Sequence, residues 1–104
     1  HEGVDISASR GTPIVASAKG RVTHAGRKSG LGLTVEIDHG YGFKTVYGHA
    51  SKILVRRGQT VERGEVIANV GSTGISTSPH LQYEVHGGGV AVNPMNYVIG
   101  TVLP

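Results

Sequence analysis

The chain has 104 residues, which is enough for about one domain and too few for two lobes with a cleft between them. Its 14 valines and 17 glycines, against 5 leucines, favour strands joined by tight turns and argue against long helices. The absence of cysteine excludes a disulfide framework and a thiolate metal site, while a dispersed net charge of +3 and five aromatic residues argue against nucleic-acid binding.

The first predicted element carries a candidate metal-binding pair, His1 and Asp5. An imidazole and a carboxylate are both donors that zinc accepts. This spacing is common by chance, so the pair gains weight only from the histidines further along the chain. The sequence also contains no apolar run approaching the ~20 residues that span a bilayer.

Two stretches repeat a pattern of short strand, turn and short strand, at residues 11–22 and 58–67. Each places a β-branched residue three or four positions after a glycine, followed by a second glycine and another valine. Between them, residues 33–37 alternate apolar and polar side chains, residues 39–42 supply a turn, and the alternation resumes over residues 43–49. This pattern predicts a β-hairpin, and on its second arm we expect Tyr47 and His49 to point the same way.

The last predicted strand follows a polar, glycine-bearing loop at residues 71–79. Strand alternation puts a polar set on one side of it: His80, Gln82, Glu84 and His86. The apolar residues between them should meet the core. A helical turn capped by Asn93, with Pro94 at its first position, is predicted after this strand.

These polar side chains together indicate zinc-dependent hydrolysis. A catalytic zinc needs three protein ligands, an open position and nearby groups that move a proton or hold an oxyanion. Donors at both ends of the chain, joined by His49, could supply them. The sequence lacks the Gly-x-Ser-x-Gly elbow, a phosphate-binding loop and a carboxylate pair for glycoside hydrolysis, so other chemistries are poorly supported.

Four segments of the sequence resemble the lysostaphin-type, LytM-like zinc metalloendopeptidases: His1-Glu2-Gly3-Val4-Asp5, Val46-Tyr47-Gly48-His49, Ser78-Pro79-His80-Leu81-Gln82-Tyr83-Glu84 and Val92-Asn93-Pro94. The resemblance covers nearly the whole chain. It implies an all-β fold of antiparallel sheets with little helix and a barrel-sandwich-hybrid element related to lipoyl carriers. It also implies one zinc ion, cleavage of peptide cross-links in peptidoglycan, and a place in the bacterial cell envelope, periplasmic or extracellular. Residues 1–104 would then be a single domain of a longer exported protein.

The resemblance also implies roles for individual residues. His1 and Asp5 match two zinc ligands of the family, and position 82 matches the third. His49 and His80 match its two catalytic histidines, and Tyr47 matches a position near the substrate carbonyl. The chain departs from the family at Gln82, where the family has the second histidine of a His-x-His motif.

Gln82 leaves two functions open. An amide oxygen is a weaker zinc donor than an imidazole nitrogen, so zinc affinity should fall unless His80 itself turns onto the metal. The first function is a zinc-dependent endopeptidase acting on peptidoglycan peptides. The alternative is a degenerate, non-catalytic module that binds the cell wall or regulates another wall hydrolase or envelope protein. A lipoate or biotin carrier is disfavoured because no lysine occupies a hairpin tip between small residues or methionines.

Overall fold

The structure is a computed structural model that describes residues 2–87, 90–91 and 102–103, with backbone only at positions 2, 90 and 91. These residues form nine β-strands: β1 (Glu2–Ser7), β2 (Pro13–Val15), β3 (Gly20–Lys28), β4 (Gly32–Gly40), β5 (Phe43–Ile53), β6 (Thr60–Val61), β7 (Val66–Val70), β8 (His80–Gly87) and β9 (Val90–Ala91). Within the described residues there is no helix that could cross a membrane. The predicted all-β fold is confirmed, whereas His1 and the predicted helical turn at Asn93 and Pro94 lie outside the described residues.

Antiparallel pairing organises the strands into one sheet. Its main path runs in the order β1, β8, β5, β4, β3 and β6. Three strands, β2, β7 and β9, lie off this path. Strand β7 pairs with both β2 and β5, and β9 pairs with β8. The predicted hairpin is formed by β4 and β5, and its turn lies between Gly40 and Phe43.

The two repeated units of the sequence pair with each other. The first unit supplies β2 and the start of β3, and the second supplies β6 and the start of β7. Strand β2 pairs with β7, and β3 pairs with β6. Each very short strand therefore receives its ladder partner from the other unit, which matters because an isolated two-stranded pair is at best marginally stable in water. This reciprocal pairing forms the predicted barrel-sandwich element.

The core is filled mainly by β-branched and aliphatic side chains from alternate strand positions. Its members with an exposed fraction of at most 1% include Ile14, Val22, Val35, Ile37, Val61, Ile67, Leu81 and Val85. Burial of each such side chain contributes about 1.5–3 kcal/mol of favourable transfer free energy. Two fully buried tyrosines, Tyr47 and Tyr83, pack in the same core with their ring centroids 5.5 Å apart.

The opposite side of the central strands is polar. Directly paired residues of neighbouring strands share a face, so the ladder registers define three rows on this side. The rows are Arg21, Asp38, Lys44 and His86; then His24, Glu36, Val46, Glu84 and Gly3; then Gly48, Gln82 and Asp5. We call these rows the polar face. The candidate site lies at its last row.

Candidate functional site

The candidate site lies where β1, β5 and β8 meet. Asp5 on β1 and Gly48 on β5 are both direct cross-strand partners of Gln82 on β8. Asp5 is mostly exposed, with 72% of its side-chain surface accessible, whereas the His80 side chain is 17% accessible. A carboxylate, an amide and an imidazole therefore converge at one end of the polar face.

His49 reaches this face through a β-bulge. One residue separates Leu33 from Val35 on β4, whereas two separate their partners Ala50 and Tyr47 on β5. The extra residue reverses the strand alternation, so Tyr47 points into the core while His49 points towards Gln82. The prediction that Tyr47 and His49 share one face is therefore wrong.

The bulge puts His49 in the left-handed region of backbone space, with φ at 63°. This conformation costs an L-residue roughly 1–2 kcal/mol. A hydrogen bond from the His49 N–H to the Leu31 carbonyl, 2.7 Å long, helps to hold it. The ring is fixed as well, because Nδ1 lies 2.6 Å from the Thr73 carbonyl oxygen. A carbonyl oxygen only accepts, so Nδ1 carries a proton and donates it.

His80 stands beside His49, with ring centroids 4.6 Å apart. Its Nδ1 lies 2.9 Å from the Ser78 carbonyl oxygen and must therefore donate to it. In a neutral ring this leaves Nε2 without a proton. Nε2 lies 3.8 Å from Oδ1 of Asp5. His80 thus presents a lone pair to the Asp5 carboxylate.

Gln82 is held at both ends of its amide. Its Nε2 donates to Glu84 over 2.8 Å, and its Oε1 lies 3.2 Å from Nε2 of His49. Glu84 is buried, with 6% of its surface exposed, and it also accepts from Nε2 of His86 over 2.9 Å. Hydrogen bonds therefore link Gln82 through Glu84 to His86, and Nε2 of His49 joins them as a donor when its ring is doubly protonated, because Nδ1 already holds the proton of the neutral ring. The amide oxygen of Gln82 is turned to His49.

Tyr47 lies apart from this constellation. Its hydroxyl bonds to the Ser17 backbone N–H and side chain, both at 3.1 Å, and to Thr45 Oγ1 at 2.8 Å. Burial raises the pKa of Tyr47 above 10.0, although the hydrogen bonds from Ser17 and Thr45 act in the opposite direction. The hydroxyl is therefore protonated and bonded inside the protein. The structure does not bring Tyr47 together with His49 and His80.

The imidazole nitrogens and the carboxylate oxygens of the site are atom types that zinc binds. Among the described residues, no group of three His, Cys, Asp or Glu side chains could hold a metal ion. Two donors do approach each other, since Nε2 of His80 and Oδ1 of Asp5 are separated by a distance that one zinc ion, bound about 2.1 Å from each, could span. Of the three predicted ligands, Asp5 and Gln82 are neighbours, and His1 lies outside the described residues.

Three contributors to the site were not found from the sequence. The carbonyl groups of Thr73 and Ser78 fix the two imidazoles, and no sequence pattern marks a backbone carbonyl for this role. The third, Glu84, anchors Gln82. It lies two positions after Gln82 on the predicted polar side of the strand, and this spacing is the signal that could have found it.

Comparison with protein families and curated relatives indicates an enzyme family. The sequence pattern of Peptidase family M23 matches residues 1–94. An uncharacterized metalloprotease of Haemophilus influenzae is 54% identical over 96 residues, covering 91% of this chain and 20% of that protein. The DD-carboxypeptidase/endopeptidase Mpg of Neisseria meningitidis is 48% identical over 101 residues, covering 97% of this chain and 23% of that protein. The murein hydrolase activator NlpD of Salmonella dublin is 41% identical over 99 residues, covering 94% of this chain and 26% of that protein.

Solved structures show the same fold. The catalytic domain of lysostaphin from Staphylococcus simulans superposes with a TM-score of 0.85 at 33% identity, covering 92% of this chain and 77% of that domain. A zinc-containing peptidase from Vibrio cholerae also gives a TM-score of 0.85, at 38% identity, covering 89% and 29%. The chain spans only about a quarter or less of the three curated relatives.

Proposed function

The chain belongs to peptidase family M23, and on this premise we propose that it is a zinc-dependent endopeptidase that cleaves peptide cross-links of peptidoglycan in the bacterial cell envelope. The observation that carries the proposal is the imidazole pair of His49 and His80, with the free nitrogen of His80 facing Asp5. The names of the relatives support the substrate, because one is an endopeptidase and another activates murein hydrolases.

We assign metal binding, proton transfer and oxyanion stabilisation to different residues of the chain. Asp5, His1 and either the Gln82 amide oxygen or His80 Nε2 would hold zinc, which when bound polarises a carbonyl and lowers the pKa of water towards ~7. His80, with Nδ1 donating to Ser78, suits a proton acceptor. His49, whose Nδ1 donates to Thr73, would stabilise an oxyanion through Nε2–H in its doubly protonated form. We leave Tyr47 out of this set because its hydroxyl is bonded in the core.

The position of Gln82 favours a second candidate. Its amide oxygen already faces a protein imidazole, which fits a module that keeps the groove without turnover and regulates another wall hydrolase. The likeness to a murein hydrolase activator agrees with this candidate. It has less support than the first, since the two relatives with higher identity are a metalloprotease and an endopeptidase.

Incubation of the protein with zinc and cross-linked muropeptides, followed by mass spectrometry of the products, separates the two candidates. A peptidase yields cleaved peptides, loses activity when a chelator removes the metal, and regains it when zinc is restored. His49→Ala serves as the control that should retain zinc but not cleave. A stoichiometric zinc complex of the wild-type protein that leaves every cross-link intact would reject the endopeptidase in favour of the module.

A further inference from the structure

A pocket opens at the far end of the polar face from the candidate site. It encloses about 470 Å³, and the charged residues that line it are Arg21, Asp38 and Arg57. Arg21 and Asp38 are cross-strand partners on β3 and β4, and Arg57 comes from the connection before β6. The first row of the polar face therefore ends in this pocket, while the candidate site lies on the last row.

Neither Arg21 nor Arg57 forms an ion pair with an acidic side chain of the described residues. Over the described parts of the chain, no acidic oxygen lies within 4.0 Å of either guanidinium, whereas Lys28 forms an ion pair with Glu36. Asp38 also lines the pocket, and its Oδ1 accepts the Gly40 N–H at 2.8 Å. Among the residues that line the pocket, two cations and one anion leave a net charge of about +1, which favours an anionic ligand.

We propose that this pocket binds the free carboxylate at the end of a peptide. An arginine side chain presents a planar fork that pairs with a carboxylate through two parallel hydrogen bonds. Two such forks can share the two oxygens of one carboxylate. The remaining carboxylate oxygen of Asp38 then accepts the N–H of the same terminal residue. A terminal residue offers an anion and an N–H donor together, a combination that inorganic phosphate lacks.

The neighbouring turn supplies an apolar surface. Tyr41 directly follows the pocket residue Gly40, its side chain is 99% exposed, and its φ is 54°. A left-handed conformation is unfavourable for an aromatic residue. The conformation is imposed by the two-residue hairpin turn between Gly40 and Phe43, whose type I′ geometry requires positive φ at both Tyr41 and Gly42. The ring is placed to cover the apolar side chain of a bound terminal residue.

The pocket and the candidate site can share one peptide. They are separated by four residues along β5 and by two to three strands across the sheet, which is roughly 15–20 Å at ordinary strand spacings. An extended peptide of about five or six residues spans this distance. The link to cleavage rests on the proposed function, whereas binding of the carboxylate does not.

Titration of the metal-free protein, followed by NMR at the arginine Nε–Hε signals, tests the pocket. The probes are N-acetyl-alanyl-alanine with a free carboxylate, the same dipeptide as its C-terminal amide, and inorganic phosphate. We expect only the free acid to shift the signals of Arg21 and Arg57. Arg57→Gln and Arg21→Gln should each weaken binding roughly 1.5- to fivefold, the range for exposed ion pairs. The matched control Arg63→Gln removes an equal charge from an exposed position outside the pocket and should leave binding unchanged.

Three results would overturn the assignment. Equal binding of the acid and the amide, or tighter binding of phosphate than of the acid, would show that the pocket does not select a terminal carboxylate. An equal loss of affinity in Arg63→Gln would show attraction by net charge alone. No zinc and no hydrolysis enter this titration, so its outcome is independent of the muropeptide assay, and either proposal can fail while the other stands.

Discussion

Replacement of Gln82 by histidine changes both the stability of the metal-free protein and its affinity for zinc, in opposite directions. The wild-type amide donates to buried Glu84 and faces His49. Hydrogen bonds to charged groups contribute about 1.5–3 kcal/mol and neutral ones about 1 kcal/mol. We therefore expect Gln82→His without metal to lose roughly 2–3 kcal/mol of unfolding free energy. For a domain of this size that corresponds to a Tm lowered by on the order of 10 °C or more.

Zinc should reverse this loss. Position 82 is the direct partner of Asp5, so a histidine there adds an imidazole donor next to the carboxylate. A ligand that binds only the folded state adds about 2.7 kcal/mol of stability at a concentration one hundred times its Kd. Gln82→His should consequently show a larger zinc-induced rise in Tm than the wild type, together with faster cleavage of muropeptides.

Gln82→Leu is the matched control for this experiment, because it removes the same hydrogen bonds and adds no ligand. Thermal unfolding of the three proteins with zinc and with a chelator gives all the values needed. If zinc raises the Tm of Gln82→His no more than that of Gln82→Leu, position 82 does not face a metal and the ligand assignment is refuted.

The remaining predictions concern the core, the imidazole pair and the loop before β8. Tyr47→Phe should lower the unfolding free energy measured by chemical denaturation by about 1–2 kcal/mol, because it removes a buried hydroxyl with several hydrogen-bond partners. It should leave kcat unchanged. A large fall in kcat would indicate a catalytic role for this residue. Because folding raises the pKa of Tyr47, its neutral form contributes stability that is complete below pH 10.0 and is lost as the pH rises towards the folded-state pKa. The unfolding free energy of the wild type should therefore fall above pH 10.0 more steeply than that of Tyr47→Phe. Parallel curves of stability against pH would contradict this. His80→Ala should abolish muropeptide cleavage and also lower the unfolding free energy by about 1–2 kcal/mol, because the side chain is largely buried and donates to the Ser78 carbonyl. Full activity in the folded variant would exclude His80 from the proton transfer. Gly71→Ala places a Cβ 2.5 Å from the Ser51 backbone nitrogen, so it should lower the unfolding free energy by about 1–3 kcal/mol and disturb the loop that leads to His80. Gly26→Ala is the matched control, because its Cβ meets no atom closer than 4.0 Å and its stability should be nearly unchanged. Similar denaturation midpoints for the two variants would contradict this packing.

The local sequence was sufficient to predict the strands and the faces of β8. Alternation along that strand put Leu81, Tyr83 and Val85 in the core and His80 and Gln82 on the polar side, as the structure has them. The glycine and valine spacing of the two repeated units likewise predicted short strands and turns. These features depend on neighbours along the chain, since the two-residue period of a strand fixes the side on which each residue lies.

The partners of those strands and the position of His49 were decided only by the tertiary structure. No residue near His49 marks the bulge, because the extra residue is fixed by the register of β4 and by the Leu31 and Thr73 carbonyls, which lie 18 and 24 residues away in the chain. One inserted residue moves a side chain to the other face of a strand, so it separated Tyr47 from His49. The chemistry of the site was visible in its residue types, but its geometry required contacts between segments that are distant in sequence.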